Sequence, residues 1–359
     1  KGALRHQLQP RRNLPEELGG KERRERERRE EEEKKRASGT FIDHFRPQQK
    51  PRTTKNKKKT YQLVVDVGLL GHSKLASTIV EQLARLRRAR GRPLRVLDLG
   101  SGDAGCLTRA LAAEAAKLSP SPSSSSSPAA AASADFIAQY TGVDESQPAL
   151  ALAEENVRRN LPGTEGRFFV GDLLSAAEQS SPSSSAAAAS DPSSSSKSSP
   201  PPPPPPAGGY DAIVASLSAH HLPTETGKPA LVAAAKRALL AEKEEEKEQG
   251  EASTSSPSAP SLLIIADVFL NDDDDDSEDT VDAWRQRSCA VIRDQWPSRV
   301  PGGKLSGEEA GRIAGHVGTC DIPTTVANYS LFAQKAGFRR CEKVAEVEPE
   351  LGIKVVVIS

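Results

Sequence analysis

The chain has 359 residues, of which 4% are aromatic, and its 49 Lys and Arg balance 49 Asp and Glu, so the formal net charge of +0 provides no overall field for nucleic acid. Long Ser, Pro, Ala and charge runs shorten what can be buried, leaving one core of ordinary size. Cys106, Cys289, Cys320 and Cys341 contain no C-x-x-C pair, which excludes a zinc knuckle and fits reduced thiols, and the longest apolar stretch, residues 262–270, is too short for a bilayer.

In chain order, residues 1–59 read as a charged, disordered arm. They include "KERRERERREEEEKKR" and "KPRTTKNKKK" and carry too much glutamate for a transit peptide. An amphipathic helix follows over 72–90, then the strand "LRVLDLG" (94–100) and a helix over 106–118. A Ser/Ala insertion (119–134) separates these from a strand at 136–144, a helix at 147–160 and a strand at 166–173. After a second low-complexity insertion (175–207) come "YDAIVASLSA" (210–219) and a helix over 228–243. A third insertion (242–260) precedes the strand 261–270, and an acidic one (271–279) precedes a helix near 278–295.

A final helix, 327–338, is closed by Gly337. The last two strand-like runs are joined only by "PE", too short a link for a right-handed crossover, so they pair antiparallel. Strands alternating with helices predict an α/β domain over 60–359, with a mostly parallel sheet covered on both faces.

Chemistry concentrates first at "VLDLGSGDAG", where Gly100, Gly102 and Gly105 follow a strand and open a helix. Such spacing suits a dinucleotide pyrophosphate at a helix N-terminus. Asp98, two residues before the first glycine, argues otherwise: a carboxylate repels pyrophosphate and suits a ligand carrying ammonium and sulfonium charge.

Here the sequence resembles the class I S-adenosylmethionine-dependent methyltransferases over roughly 60–359. The resemblance implies a Rossmann-like fold with a seven-stranded sheet ending in an antiparallel hairpin. It places Asp98, Gly100, Ser101, Gly102 and Gly105 around the methionine part of S-adenosyl-L-methionine. In "GVDES", Asp144 would accept both ribose hydroxyls, with Glu145 beside it. "VGDLL" brings Asp172 and Leu173 near the adenine, and "YDAIVASLSAHHLP" supplies the fourth motif, with Ser216. Asp144 lies farther from the glycines than is usual, and the 119–134 insertion accounts for the excess. Each position also has a purely structural role open to it: glycine for close packing, Asp144 as a helix cap, Asp172 as a turn residue.

Methyl transfer requires an aligned acceptor and removal of any acceptor proton, and needs no metal. His220 and His221, at the end of the fourth strand, are the candidate catalytic residues. The Asn/Asp-Pro-Pro-aromatic signature of amide and base-amine methyltransferases is absent from "SLSAHH", which disfavours those acceptors. Residues 284–338 read as a cover over the acceptor, with Trp296, His316, Asp321 and Tyr329 as contacts.

The expected function is methylation of a small molecule. The alternatives are a tRNA or rRNA methyltransferase using the basic arm, and a non-catalytic scaffold of the same fold. No membrane association is expected. A cytoplasmic location is expected, with an organelle as the alternative, since the chain begins at Lys1 and contains no methionine.

Overall fold

The computed structural model describes residues 64–65, 67–118, 133–174, 209–248, 259–300 and 305–359. The chain divides into two units, Lys1–Lys58 and Lys59–Ser359, and every described residue belongs to the second. The N-terminal arm and most of the first three insertions lie outside the described residues.

Helix α1 (His72–Arg90) buries Leu75, Ile79, Val80, Leu83 and Leu86, the 3.6-residue stripe its sequence carries. It stops at Gly91, which takes the left-handed conformation (φ 69°), with Arg87, Arg88 and Arg90 at the negative end of its dipole. There follow β1 (Leu94–Leu99), α2 (Gly105–Leu118), β2 (Ile137–Asp144), α3 (Gln147–Asn160), β3 (Glu165–Val170), β4 (Ala212–Ser216), α4 (Gly227–Glu248) and β5 (Leu262–Val268). Helix α5 (Glu278–Ala290) runs through a π-turn (Val291–Gln295) into one helical turn (Trp296–Arg299). Helices α6 (Gly307–Cys320) and α7 (Val326–Lys335) precede β6 (Cys341–Glu348) and β7 (Ile353–Ile358).

The sheet order is β3-β2-β1-β4-β5-β7-β6. Strands β1 to β5 pair parallel, while β7 inserts between β5 and β6 and is antiparallel to both. The central strands alternate between two cores. Val96, Val214, Ile264 and Val355 face one side, and Leu97, Ile213, Ile265 and Val356 the other. Such strands, buried on both faces, read as continuous apolar runs. The order reverses between β1 and β4, and that reversal opens the crevice at the carboxyl ends where such sheets bind ligands.

At the opposite ends a buried clamp sets the register. The Asp211 carboxylate accepts bonds from Arg90, from Arg92 (2.8 and 3.0 Å) and from the Arg95 backbone N–H (2.7 Å), while Arg90 also reaches Ser261 (2.7 Å). It ties α1, β1, β4 and the start of β5 together.

Several boundaries differ from the sequence reading. The third strand stops at Val170 rather than at residue 173, because residues 171–174 turn away around Asp172. The fourth ends at Ser216, since Leu217 has φ +50°. Helix α4 extends to Glu248, past the expected start of the third insertion. Helix α6 lies within the expected cover, where the sequence reading named no helix, and Ser306 and Glu309 form a complete capping box at its start.

The acidic stretch 271–279, expected as a disordered insertion, is instead pinned to the sheet. Asp272 pairs with Lys343 (2.6 Å) and with the buried Lys354 (2.9 Å), and Asp276 accepts from Thr324 (2.8 Å). Among the described residues no helix is long and apolar enough to cross a membrane.

Candidate functional site

The glycine turn closes β1 against β2. Gly100 (φ +71°) and Ser101 donate to the Val143 carbonyl at 2.8 and 3.0 Å. Gly102 (φ +52°) donates to Asp144 Oδ2 at 2.9 Å, and Asp144 Oδ1 accepts from the Ser146 N–H at 2.8 Å. A Cβ on Gly100 would lie 2.4 Å from the Ser218 Cβ, so only glycine fits between the ends of β1 and β4. Ser218 in turn donates to the Leu99 carbonyl at 2.9 Å. Gly105 lies in ordinary helical conformation at the start of α2, and its N–H is held by Asp103 at 2.9 Å.

Beneath this turn sits Asp98, 3% exposed and bonded by the Tyr140 hydroxyl. Burial pushes its carboxyl up to about 7; the Tyr140 bond opposes the rise and the Asp144 charge adds to it. Ser101 Oγ is buried with no hydrogen-bond partner. Leu173 comes within 3.4 Å of the Cβ position of Gly100, whereas Asp172 and Glu145 are exposed, with Asp172 bonding the Leu174 N–H at 3.0 Å. Ser216 is half-buried at the tip of β4. Ser218 and Tyr140 are residues here that the sequence reading passed over; nothing in "SLSAHH" or "AQYTG" distinguishes them before the approach of β1 to its two neighbours is known.

Among the described residues, the non-glycine positions with left-handed backbone are Ala104 and Leu217, one on each side of the crevice. Such strain costs roughly 1–3 kcal/mol and collects at functional sites. Beyond Leu217, residues Ala219–His221 form a 3₁₀ turn carrying both histidines.

His220 is buried and doubly tied to Asp267. Its backbone N–H donates to Oδ2 (2.9 Å), and its ring Nδ1 lies 2.5 Å from Oδ1. Its Nε2 is 3.6 Å from Asp321 Oδ1. Burial works against a charge on His220, but Asp267 and Asp321 outweigh it and raise the imidazole above its ordinary value. Burial likewise pushes Asp267 up, and His220 more than reverses it, holding that carboxyl low.

His221 is different. Its side chain is 45% exposed, its Nδ1 is 4.0 Å from Asp321 Oδ1, and burial with the neighbouring His220 and His316 brings it down to about 4. At neutral pH it is therefore uncharged. Burial lifts Asp321 to about 6, and its Oδ1 has no hydrogen-bond donor.

Of the four expected acceptor contacts, the fold brings two to this cluster: Asp321 and His316, whose ring is 5.6 Å from that of His221. The other two are corrected. Trp296 is wholly buried in the core, and Tyr329, 1% exposed, packs on Phe269 and Phe332. Asp267 was missed, though a carboxylate inside the apolar run "LLIIADVFL" was the signal for it.

The sheet order and the inserted antiparallel last strand define the Rossmann-like methyltransferase fold that the sequence resembles. No protein-family model and no curated protein matches the chain. Among solved structures it is similar to a magnesium protoporphyrin IX methyltransferase from Synechocystis PCC 6803 with bound SAM, at 14% identity over 80% of this chain and 78% of the other, TM-score 0.37. It is similar also to a plantazolicin methyltransferase in complex with SAH, at 12% identity over 86% and 91% of the two chains, TM-score 0.37. A third is the S-adenosylmethionine-dependent methyltransferase SibL in its apo form, at 14% identity over 81% and 56%, TM-score 0.40.

Proposed function

We propose that the chain is an S-adenosylmethionine-dependent methyltransferase acting on a small-molecule acceptor. The observation that carries this reading is the pair of carboxylates, Asp98 and Asp144, at the two sides of a left-handed glycine turn in the crevice of the sheet. The residues fit the cofactor. Asp98 suits an ammonium, Asp144, whose oxygens already accept from Gly102 and Ser146, would accept in addition from a ribose diol, and the orphaned Ser101 Oγ lacks a partner that a ligand would supply. Two carboxylates at this turn disfavour a pyrophosphate.

The bound cofactor would supply an electrophilic methyl group on a sulfonium. This chain's part is to align the acceptor and take its proton. His221 is the stronger candidate base by position, its ring being half exposed, whereas His220 is buried and held by Asp267. Asp98, Gly100, Ser101, Gly102, Asp144, Leu173 and Ser216 would line the cofactor, with Gly105 starting the helix behind it. Glu145 and Asp172, both exposed, would contact the cofactor only from the rim.

Calorimetry with S-adenosylhomocysteine tests the reading. Wild-type protein binds it, and Asp144→Ala weakens binding by about 2 kcal/mol as a charge-assisted contact is lost. Protein that binds NAD and not this ligand would overturn the proposal. Radiolabelled methyl transfer to a metabolite extract rather than to total RNA separates the small-molecule reading from the RNA enzyme, and no transfer despite binding would indicate a scaffold.

A further inference from the structure

We infer that His220 Nε2, His221 Nδ1 and Asp321 Oδ1 form a binding site for one divalent transition-metal ion of the zinc type. One ligand atom from each residue lies within 4.8 Å of the others, and Asp321 Oδ1 is 3.6 Å from His220 Nε2 and 4.0 Å from His221 Nδ1. Ligands about 2.1 Å from a tetrahedral zinc stand about 3.4 Å apart, so Asp321 Oδ1 already lies within about 0.6 Å of that separation from each imidazole nitrogen.

A second, independent observation points to a ligand. Asp321 is 5% exposed and its Oδ1, aimed into the cluster, has no hydrogen-bond donor. A buried carboxylate oxygen without a partner is costly, and a cation supplies the missing one. A proton on His220 does so poorly, because 3.6 Å exceeds hydrogen-bond range.

The surroundings match as well. The Asp267 carboxylate sits on His220 Nδ1 at 2.5 Å, which fixes the tautomer and leaves Nε2 to face Asp321. That is the carboxylate–histidine arrangement that orients metal-bound imidazoles. Two imidazoles and one carboxylate favour zinc or a neighbouring first-row metal over magnesium or calcium, which prefer all-oxygen sites. Three protein ligands leave an open position, and with His221 half exposed the cluster stands at the surface beyond the carboxyl end of β4. There the ion would hold and polarise an acceptor oxygen and so lower its proton affinity, in place of a free His221 acting as base. This last role rests on the methyltransferase reading; the binding itself does not.

Full-length protein stripped with a chelator and dialysed against Zn2+ should retain one equivalent. His221→Ala and Asp321→Asn should each weaken retention at least tenfold, and Asp267→Asn by about 10–100-fold. Co2+ in place of Zn2+ should give a visible ligand-field absorption that His221→Ala abolishes. Since His221 is half exposed, that variant is expected to stay folded, and its melting curve verifies this. Wild-type folded protein that retains no Zn2+ overturns the inference. So does retention unchanged in both variants, which would put the ion elsewhere, such as on Asp272–Asp276. S-adenosylhomocysteine binding measured on the same samples keeps the two readings apart. Zinc without that ligand leaves the metal site standing and the methyltransferase reading fallen, and that ligand without zinc does the reverse.

Discussion

Asp98 carries the strongest consequence at the scale of one residue. Folding raises its carboxyl from 3.8 to about 7, chiefly by burial. The folded state therefore holds this proton more tightly than the unfolded chain. Its stabilising contribution is complete below the unfolded value and is lost as pH rises to about 7. A ligand ammonium favours the ionised form, so affinity for S-adenosylhomocysteine should rise from about pH 6 to pH 8, with proton release on binding. Calorimetry in buffers of different ionisation enthalpy measures it, and Asp98→Asn should flatten the profile.

Glycine substitutions at the turn should separate in size. Gly100→Ala meets Ser218 at 2.4 Å as well as the left-handed backbone, whereas Gly102→Ala meets open space. The first should cost several kcal/mol and the second about 1 kcal/mol, read from denaturant midpoints.

Among elements, α6 shows how a local signal can be outweighed by composition. Its sequence "GEEAGRIAGHVGTC" carries four glycines, which lower helix propensity, yet Ser306 and Glu309 cap it reciprocally and Ala310 and Ala314 pack inward. The S-x-x-E spacing was readable, and the glycines hid it. Removing the cap should matter because so little propensity stands behind it: Ser306→Ala should lower stability by about 1 kcal/mol. Thermal melting measures that loss. Hydrogen exchange should localise it to 307–320, the helix that delivers Asp321 to His220 and His221. Helices α1 and α3 were legible to the residue, since each joins an apolar stripe to a clear terminal signal, Gly91 for one and Ser146–Pro148 for the other.

On the scale of the molecule, the clamp at Asp211 opposes the site across the sheet. Arg90, Arg92 and the Arg95 backbone all converge on one fully buried carboxylate, so Asp211→Ala removes the counter-charge that the buried Arg90 and its neighbour Arg92 share. The expected loss is about 3–5 kcal/mol, enough to consume much of a domain's stability, and urea unfolding tests it. The charged arm, residues 1–59, enters function by a separate test: its removal should leave small-acceptor turnover intact, whereas an RNA enzyme would lose affinity and its steep salt dependence.

The alternation of apolar strand and amphipathic helix determined the α/β class, and the two-residue link "PE" determined the final antiparallel pair, because both are local properties of the chain. The glycines with Asp98 and Asp144 were likewise legible, as each ends a strand whose place the pattern sets. Tertiary structure alone decided what residues distant in sequence do to one another. It buried Trp296 and Tyr329 as core, bound the acidic stretch through Lys354, and set Ser218 against Gly100. It also divided the two histidines, giving His220 to Asp267 from β5 and leaving His221 beside Asp321 from the end of α6. Protonation, orphaned oxygens and ligand geometry depend on burial and on partners that only the packed sheet brings within a few ångströms.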